Sequence, residues 1–483
     1  MRIGTDTRGD LAGACFVALR GPRHDGHDHL AAAAVAGAAM AMVDDGSPAP
    51  GSPRRLLVDD TRRALGALGR AWRHTFGARV VGITGSVGKT TTKELAASVL
   101  PAIGPVTAAP SSWNNDIGVP LTLLRAHPDD AAVVVEIGSG GPGEIAALGA
   151  IAEPDVAIIT AIGRAHLGAF SGPDGIVREK AQLAASTPRG APAIVTADSP
   201  ALRRELAGRA GLITVGWSDD ADVRIVGVEA VQLAGGHNAA SAAMGGRDGD
   251  ATADRTHADG LAVDVRRSIA AAPGVVRPVY DASSVRFVVP LVGVHHAANV
   301  AAVIALAAVM GVDDAHLAAG LLAAKPPAMR LERLRVGGVW IHDDSWNASP
   351  ESMAAGLRAF HATTEPAVSA GGRRVAILGD MLELGPSAEA LHADIADVIA
   401  ELDRVSRFEH LVLVGSVADA YAPPGFGDRV TVIPAVDDEA ANVARARLAS
   451  IVRQEDHVLL KASRGIGLDR CHAWFREPAI AST

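Results

Sequence analysis

The sequence predicts an α/β chain of three domains built around open parallel sheets. Its 483 residues suffice for about three domains at the usual size of roughly 150 residues each. Short apolar strands alternate with helical segments in two separate stretches, a pattern typical of parallel sheets that are covered by helices. Hydrophobic residues make up 48% of the chain and charged residues 20%, which is the composition of a globular protein. We expect the domains to comprise residues 1–76, 77–325 and 326–483.

The first predicted domain is short. A strand is expected at residues 15–19, followed by a Gly-rich turn and an Ala-rich helix that begins at Leu30. A second strand is expected at residues 40–43. Asp60 then has the position of an N-cap before residues 61–74, whose apolar side chains recur at helical spacing.

The second and third domains each contain an alternating series of strands and helices. Residues 233–260 interrupt the second domain with Gly, Ala, Asp and His in no periodic pattern, which favours a surface loop. The segments beside it, residues 222–230 and 285–289, resemble strands of a small antiparallel annex. The third series follows Lys325 and indicates a Rossmann-like sheet. Strands are expected at residues 79–84, 131–137, 155–160 and 193–196, and again at 339–342, 375–378, 411–414, 430–433 and 458–461.

The composition excludes several classes of partner. Lys and Arg number 45 against 54 Asp and Glu, a net charge of −9, and only 3% of residues are aromatic, so the chain lacks the basic face and stacking platforms of a nucleic-acid-binding protein. The longest apolar runs, residues 30–43 and 300–312, are shorter than the roughly 18 residues of a membrane span. Cys15 and Cys471 show no metal-ligand spacing and suit a reducing compartment. We expect a cytoplasmic monomer.

The sharpest local signal lies where the predicted strand 79–84 meets a helix. The segment Gly82-Ile-Thr-Gly-Ser-Val-Gly-Lys-Thr-Thr-Thr92 has the strand–turn–helix context of a phosphate-binding loop. Ile83 stands where the strict pattern has its first glycine, so a chance Gly-rich turn is the alternative. As a phosphate loop, it would use Lys89 to reach the β and γ phosphates of ATP and the Thr90 hydroxyl to bind Mg²⁺. This predicts a P-loop ATPase-like central sheet, whose nucleotide-binding residues are Gly85, Ser86, Val87, Gly88, Lys89, Thr90 and Thr91.

Further segments carry a family resemblance. The loop Thr84-Gly-Ser-Val-Gly-Lys-Thr-Thr91 resembles the ATP loop of the Mur ligases, which use a shorter glycine pattern. The run Gly379-Asp-Met-Leu-Glu-Leu-Gly385 resembles the subgroup that adds D-alanyl-D-alanine. The resemblance spans nearly the whole chain and implies the three-domain Mur ligase architecture. It also rests on Thr5-Asp-Thr-Arg8, Asn114-Asn-Asp-Ile-Gly-Val-Pro-Leu-Thr-Leu-Leu124, Gly143-Glu-Ile145, Ala165-His-Leu167, Asp343-Asp-Ser-Trp-Asn-Ala-Ser-Pro350 and Lys461-Ala-Ser-Arg464.

The resemblance implies two Mg²⁺ ions. Glu136 ends an apolar strand opposite the phosphate loop and would bind the first ion together with Thr90, although it could be a solvated strand-end residue. His166 would bind the second ion, although a lone histidine is more often structural. Lys180 matches a lysine that CO₂ converts into a carbamate, whose carboxylate also binds the second ion; the ordinary alternative is an exposed helical lysine. Carbamylation requires a neutral amine and hence a lowered pKa.

The resemblance also implies ligand-binding residues in all three domains. Arg330 would cross from the third domain to the γ-phosphate. Asn299 and Asn347 would lie near the adenine, although Asn299 could instead join two helices, and either Asp343 or Asp344 would face the ribose. Asp343 is the preferred member of that pair. The substrate-binding residues are expected to be Asp6, Thr7, Arg8, Asn114, Asn115, Lys461 and Arg464.

The implied reaction is ATP-dependent amide-bond formation through an acyl phosphate, between a UDP-sugar peptide and a D-alanyl-D-alanine dipeptide. Lys89, His166, Lys180 and Arg330 would carry it out. Two alternatives stay open: an amide ligase of the same fold in a non-peptidoglycan pathway, and a nucleotide-binding partner protein without catalysis. The first is motivated by a chain start only four residues before the Thr5 segment and by departures from the family pattern at His29, Gly140, Gly141, His296, Trp346 and Ala462.

Overall fold

The computed structural model contains three separate β-sheets that follow one another along the chain. We name the parts around them the N-terminal, central and C-terminal units. None of the helices in the described part of the chain combines the length and apolarity that a membrane crossing requires. The structure describes residues 2–22, 24–46, 51–233, 259–267, 284–433, 447–448 and 450–475.

The N-terminal unit has a four-stranded parallel sheet. Its apolar residues form one cluster under the helix Leu30–Val35 and another that includes Leu65 from the helix Thr61–Arg73. The Asp60 side chain caps that second helix by accepting a hydrogen bond from the Arg63 backbone N–H at 2.8 Å, as predicted. The strands, in their order across the sheet, are Ile3–Gly4, Cys15–Val17, Met40–Val43 and Arg54–Leu57.

The central unit is a nine-stranded sheet with a hydrophobic core on each face. The Ala-rich helix Ala297–Met310 is almost wholly buried on one face. In the parallel part of this sheet, the strands Ala132–Glu136 and Val156–Ile159 are buried along their whole length, as expected of strands covered by helices on both faces. The nine strands in spatial order are Val285–Val289, Asp259–Arg267, Val223–Gln232, Leu212–Gly216, Ala193–Thr196, Val156–Ile159, Arg79–Thr84, Ala132–Glu136 and Val106–Ala108.

The predicted antiparallel annex is not separate from this sheet. Val223–Gln232 pairs in parallel with Leu212–Gly216 on one side and antiparallel with Asp259–Arg267 on the other. The annex therefore extends the central sheet, because the strand that begins it also continues the parallel ladder. The surface loop expected between these strands falls on residues 234–258, outside the described residues.

The C-terminal unit has a six-stranded sheet that is parallel except at one edge. The strand Glu332–Val336 pairs antiparallel with Val339–Asp343, and this edge strand was not predicted. The other five strands confirm the predicted alternating series. In spatial order the sheet runs Glu332–Val336, Val339–Asp343, His457–Lys461, Arg374–Gly379, His410–Val414 and Val430–Ile433.

The remaining helices cover the faces of the central and C-terminal sheets. The helix Pro350–Ser369 begins with a capping box between Ser349 and Ser352. The other helices are Lys89–Val99, Gly118–Leu123, Glu144–Ala152, Pro173–Ala185, Pro200–Glu205, Asp314–Leu322, Ala388–Val405 and His472–Phe475.

Candidate active site between the central and C-terminal units

The phosphate loop depends on two glycines. Gly85 has φ 144° and Gly88 has φ 91°, backbone conformations that glycine adopts without strain. A Cβ atom on Gly85 would lie 2.0 Å from Thr160 Oγ1, and one on Gly88 would lie 2.3 Å from Asn299 Oδ1. The helix Lys89–Val99 starts directly after Gly88, so the loop presents a helix N-terminus to the cavity.

Lys89 holds its ammonium group at this loop. Its Nζ donates hydrogen bonds to the carbonyl oxygens of Gly85 at 2.7 Å and Ser86 at 3.3 Å. Burial lowers the pKa of Lys89, Glu136 counteracts this effect, and the nearby Arg330 adds to it. The lysine therefore brings its charge to the place where a bound phosphate chain would need it.

Glu136 is the last residue of its strand and only 1% exposed, so it is not the solvated residue considered as the alternative. Its Oε1 accepts a hydrogen bond from Asn114 Nδ2 at 2.8 Å. Its Oε2 is buried and has no hydrogen-bond partner among the described residues. An unpartnered buried carboxylate oxygen is costly, and a bound cation would remove that cost.

Thr90 and Arg330 meet beside this carboxylate. Arg330 Nη2 donates to Thr90 Oγ1 at 2.9 Å, and the same hydroxyl lies 3.0 Å from Ser112 Oγ. The neighbours of Arg330, Met329 and Leu331, both have positive φ, 56° and 55°. Burial lowers the pKa of Arg330 and Glu136 opposes this most strongly. An arginine that leads into the C-terminal unit thus reaches the phosphate loop.

Lys180 is buried, which excludes the exposed helical lysine of the alternative interpretation. Its Nζ donates to Ser139 Oγ at 2.6 Å. Burial, followed by the positive charge of Lys89, lowers the pKa of Lys180 to about 7. A large fraction of this amine is therefore neutral near pH 7, and a neutral amine is the form that reacts with CO₂.

His166 faces the C-terminal unit. The residue has φ 59°, and its Nδ1 contacts the Glu383 carboxylate. Among the described residues, no three His, Cys, Asp or Glu side chains are placed together to hold a metal ion. Within the described part of the chain, Glu136 and His166 therefore do not belong to such a group.

Asn299 is hydrogen-bonded to the helix that follows the phosphate loop. Thr92 Oγ1 donates to its Oδ1 at 3.3 Å, and its Nδ2 lies 3.2 Å from His296 Nδ1. The Thr92 bond joins two helices, which was the structural alternative for this residue. Asn299 also lines the cavity, so it both joins two helices and lies where a nucleotide could contact it.

The structure corrects the prediction that Asp343, rather than Asp344, faces the nucleotide. Asp343 is fully buried, does not line the cavity and lies 3.0 Å from His472 Nε2. Asp344 does line the cavity and accepts a hydrogen bond from Lys461 Nζ at 2.6 Å. Adjacent residues at a strand end point to opposite faces, so Asp344 is the member of the pair that could face a ribose. Arg464 lies 5.4 Å from the Trp346 ring and 3.0 Å from Asp469.

These residues enclose a cavity of about 590 Å³ between the central and C-terminal units. It brings together most of the predicted site. The predicted residues that do not line it are Gly85, Lys180, Asp343, Asp6, Thr7 and Arg8.

Of the predicted residues in the N-terminal unit, Asp6 and Arg8 are exposed and Thr7 is half-buried. Arg8 and Asp6 form a salt bridge of 2.6 Å, and the Arg8 side chain is 89% exposed. A separate cavity of about 490 Å³ lies in the same unit and is lined by Arg20, Asp25 and His29, among others. The departure noted at His29 thus falls on the wall of this second cavity.

Sequence reasoning missed three hydroxyl or carboxylate groups of the site. Ser112 contacts Thr90, Ser139 contacts Lys180, and Glu383 contacts His166. Ser112 lies two residues before Asn114 and Ser139 three residues after Glu136, so proximity to those residues was the available signal. Glu383 lies inside the Gly379–Gly385 run, which had been used only as a family marker.

Comparisons with known proteins agree with this geometry. The Mur ligase middle domain matches residues 83–245, and the Mur ligase glutamate ligase domain matches residues 329–464. A UDP-N-acetylmuramoyl-tripeptide–D-alanyl-D-alanine ligase of Synechocystis sp. is 33% identical, covering 96% of this chain and 90% of that protein. The enzyme of that name from Bacillus subtilis is 30% identical over 97% and 91%.

Solved structures give the same result. MurF from Acinetobacter baumannii superposes with a TM-score of 0.76 at 27% identity, covering 99% of this chain and 93% of that one. MurF ligase from Thermotoga maritima in complex with ADP gives a TM-score of 0.74 at 25% identity, covering 99% and 97%. The predicted α/β class and three-part architecture are confirmed. The chain belongs to the Mur ligase family, within the group of UDP-N-acetylmuramoyl-tripeptide–D-alanyl-D-alanine ligases.

Proposed function

We infer that this chain is an ATP-dependent amide ligase that joins D-alanyl-D-alanine to UDP-N-acetylmuramoyl-tripeptide in peptidoglycan precursor synthesis. One observation carries the inference beyond family membership: Arg330 from the start of the C-terminal unit bonds to Thr90 of the phosphate loop. Together with Lys89 at the same loop, Arg330 would bring positive charge from two units to one phosphate position. Such convergence suits phosphoryl transfer, which needs mainly positioning and charge neutralisation.

The reaction has two steps. An oxygen of the tripeptide carboxylate attacks the γ-phosphorus of ATP, the bond to ADP breaks, and an acyl phosphate forms. The dipeptide amine then attacks the acyl carbon, phosphate leaves with the former carboxylate oxygen, and the amine loses a proton. Lys89 and Arg330 would neutralise the charge that develops on the transferred phosphoryl group.

The chain offers groups that fit Mg²⁺. Thr90 Oγ1 and Glu136 Oε2, which has no partner within the described ranges, would be hard oxygen ligands for one ion. His166 and a carbamate on Lys180 would hold the second ion. Bound Mg²⁺ would supply charge neutralisation at the phosphates. Carbamate formation joins the neutral Lys180 amine to CO₂ and releases one proton, and the low pKa of Lys180 favours it.

Each unit then has a separate ligand. We propose domains of residues 1–76, 77–325 and 326–483, which hold the UDP-sugar peptide, ATP and the dipeptide, respectively. Asp6, Thr7, Arg8, Asn114 and Asn115 would contact the UDP-sugar peptide, and Lys461 and Arg464 would contact the acyl intermediate or the dipeptide carboxylate. These nucleotide-linked substrates place the enzyme in the cytoplasm.

A second candidate is a ligase of the same chemistry with another acid or amine. Trp346 and His296 favour it, because both depart from the family pattern and both line the cavity. Trp346 lies 6.0 Å from the Arg330 guanidinium and 5.4 Å from that of Arg464. A change here would alter the wall that a nucleotide or acceptor contacts.

One assay tests the proposal. Phosphate release from ATP is measured in the presence of UDP-N-acetylmuramoyl-tripeptide, with and without D-alanyl-D-alanine. The mass of the product is determined by mass spectrometry. Sustained release only with both substrates, together with a pentapeptide product, is expected. Turnover only with a different acid and amine would favour the second candidate. A Lys180→Ala variant with full activity would refute the carbamate.

A further inference from the structure

One loop of the central unit, residues 161–169, lies between the phosphate loop and the C-terminal unit. On one side, the Ser86 backbone N–H donates to the Ala161 carbonyl oxygen at 2.8 Å. On the other side, the Gly168 N–H donates to the Glu383 carbonyl oxygen at 3.1 Å. The same loop therefore contacts the ATP-binding element and the unit that must dock onto it.

A single peptide group makes the most direct connection. The Gly163 carbonyl oxygen accepts a hydrogen bond from Ser86 Oγ at 3.0 Å. The N–H of that same peptide group, which belongs to Arg164, donates to Glu351 Oε2 at 3.0 Å. Glu351 is in the first turn of the helix Pro350–Ser369. Because a peptide group is rigid and planar, a shift of Glu351 is transmitted to Ser86.

The Arg164 side chain strengthens this connection. Its Nε donates to Glu351 Oε1 at 2.8 Å, so Glu351 is held by two bonds from one residue. Its Nη1 donates to Asp394 Oδ2 at 3.2 Å. Asp394 belongs to the helix Ala388–Val405, and Arg164 thereby fastens two helices of the C-terminal unit to one loop.

The surrounding backbone is shaped for close approach. A Cβ atom on Gly163 would lie 2.7 Å from Glu351 Oε2, and one on Gly168 would lie 2.8 Å from the Gly385 nitrogen. A side chain at position 168 would therefore displace the backbone of the C-terminal unit, whereas one at position 163 would displace the Glu351 side chain from its present contacts. Leu167 packs against the hydrophobic core of that unit.

We propose that Arg164 is a positioning residue, which fixes the C-terminal unit so that Arg330 reaches the phosphate loop and which couples that docking to Ser86. The proposal rests on the function inferred above, because it assigns Arg164 a role in that reaction. Arg164 has no role as a ligand or acid–base group in it. Its effect is on the fraction of molecules in which both units are engaged.

The test compares charge reversals with a matched control. Arg164→Glu and Glu351→Arg are each made alone and together, in the full chain. Arg203→Glu is the control, because the Arg203–Asp220 pair lies within the central unit and has the same exposed fractions, 38% and 58%, as the Arg164–Asp394 pair. Gly163→Ala is a further variant that displaces Glu351 without changing any charge.

Two readouts are used. The first is kcat and the KM for ATP with both proposed substrates. The second is fluorescence energy transfer between dyes at Asp174→Cys and Arg404→Cys, exposed positions of the two units, since the native cysteines are buried. Each single reversal should lower kcat by about tenfold while the KM for ATP changes by less than about threefold. The double reversal should recover only part of the loss, because it restores an ion pair between positions 164 and 351 but neither the bond from the Arg164 backbone N–H nor the bond to Asp394.

The outcomes separate the two claims. Energy transfer should fall in Arg164→Glu and Gly163→Ala, recover in part in the double reversal and stay unchanged in Arg203→Glu. If the native protein does not ligate these substrates, the proposed function fails while the energy-transfer result still stands as a test of docking. If Arg164→Glu matches Arg203→Glu in both readouts, or if the double reversal shows no recovery, the positioning role is refuted.

Discussion

The central and C-terminal sheets both carry charged side chains where parallel strands end, but they use them differently. In the central unit, Glu136 ends a strand and its Oε2 has no hydrogen-bond partner among the described residues. Lys180, on the helix Pro173–Ala185, donates a hydrogen bond to Ser139. In the C-terminal sheet, Lys461 is paired with Asp344. Asp380 accepts hydrogen bonds from the backbone N–H groups that follow the next strand, at Ser416 and Val417.

The difference bears on which unit would perform chemistry. The Glu136 oxygen without a partner among the described residues could bind a cation, whereas Lys461 and Asp380 already have partners within the C-terminal unit. The C-terminal unit would therefore act mainly by placement, through Arg330 and the contacts of Arg164. Four experiments distinguish these roles.

The largest effect is expected from Glu136→Gln. Removing the charge of the partly unsatisfied carboxylate should lower kcat by about 100- to 1,000-fold, the range for loss of one transition-state charge contact. The Asn114 bond to Oε1 can persist, so the melting temperature should change little. Steady-state kinetics and thermal unfolding measure the two quantities. If the variant kept kcat within tenfold of the native value, Glu136 would not be a ligand of Mg²⁺.

Lys461→Met should reduce stability instead. It leaves the Asp344 carboxyl, whose side chain is 15% exposed, without its partner, and partial burial already raises the pKa of that carboxyl. Breaking a buried pair costs about 3–5 kcal/mol, measurable by urea unfolding. The double variant Lys461→Met/Asp344→Asn should recover most of this stability. A stable double variant with a greatly raised KM for the dipeptide would instead support the predicted role of Lys461 in substrate binding.

The pH dependence of stability should show a smaller effect in the C-terminal sheet. His342 Nε2 and His457 Nδ1 lie 3.1 Å apart, and burial lowers the pKa of both, that of His457 to about 4. Between pH 6.5 and 4 the unfolded chain binds protons that the folded chain does not, so acid reduces stability there, by about 1–3 kcal/mol. Urea unfolding at pH 7.5 and 4.5 should show a smaller loss for His457→Gln than for the native protein. If both proteins lost the same free energy of unfolding between pH 7.5 and 4.5, His457 would not be a source of the pH dependence.

The smallest effect is expected from Arg8→Ala in the N-terminal unit. Arg8 is 89% exposed and paired with Asp6, so its charge is largely screened by water. We expect no change in kcat and a rise in the KM for the UDP-linked substrate of at most about fivefold, measured with ATP and dipeptide saturating. A much larger rise would mean that this exposed site binds its ligand as strongly as the central cleft.

The phosphate loop and Glu136 could be predicted because their function depends on local features. Gly85 and Gly88 are required by their own backbone angles, and a strand end places Glu136 beside the loop that follows the neighbouring strand. The choice between Asp343 and Asp344 could not be predicted, since it depends on which face of the strand meets His472. Arg164 was also missed, because its partners Glu351 and Asp394 are 187 and 230 residues away in sequence.

The proposed reaction requires that ATP phosphorylates the tripeptide carboxylate before the amine attacks. An oxygen-isotope experiment tests this requirement directly. The tripeptide carboxylate is labelled with ¹⁸O and incubated with ATP and D-alanyl-D-alanine, and the released phosphate is examined by mass spectrometry. If the carboxylate attacks the γ-phosphorus, each released phosphate carries one oxygen from the substrate. Phosphate without ¹⁸O, released at the same rate as the amide product forms, would contradict an acyl phosphate and the account built on it.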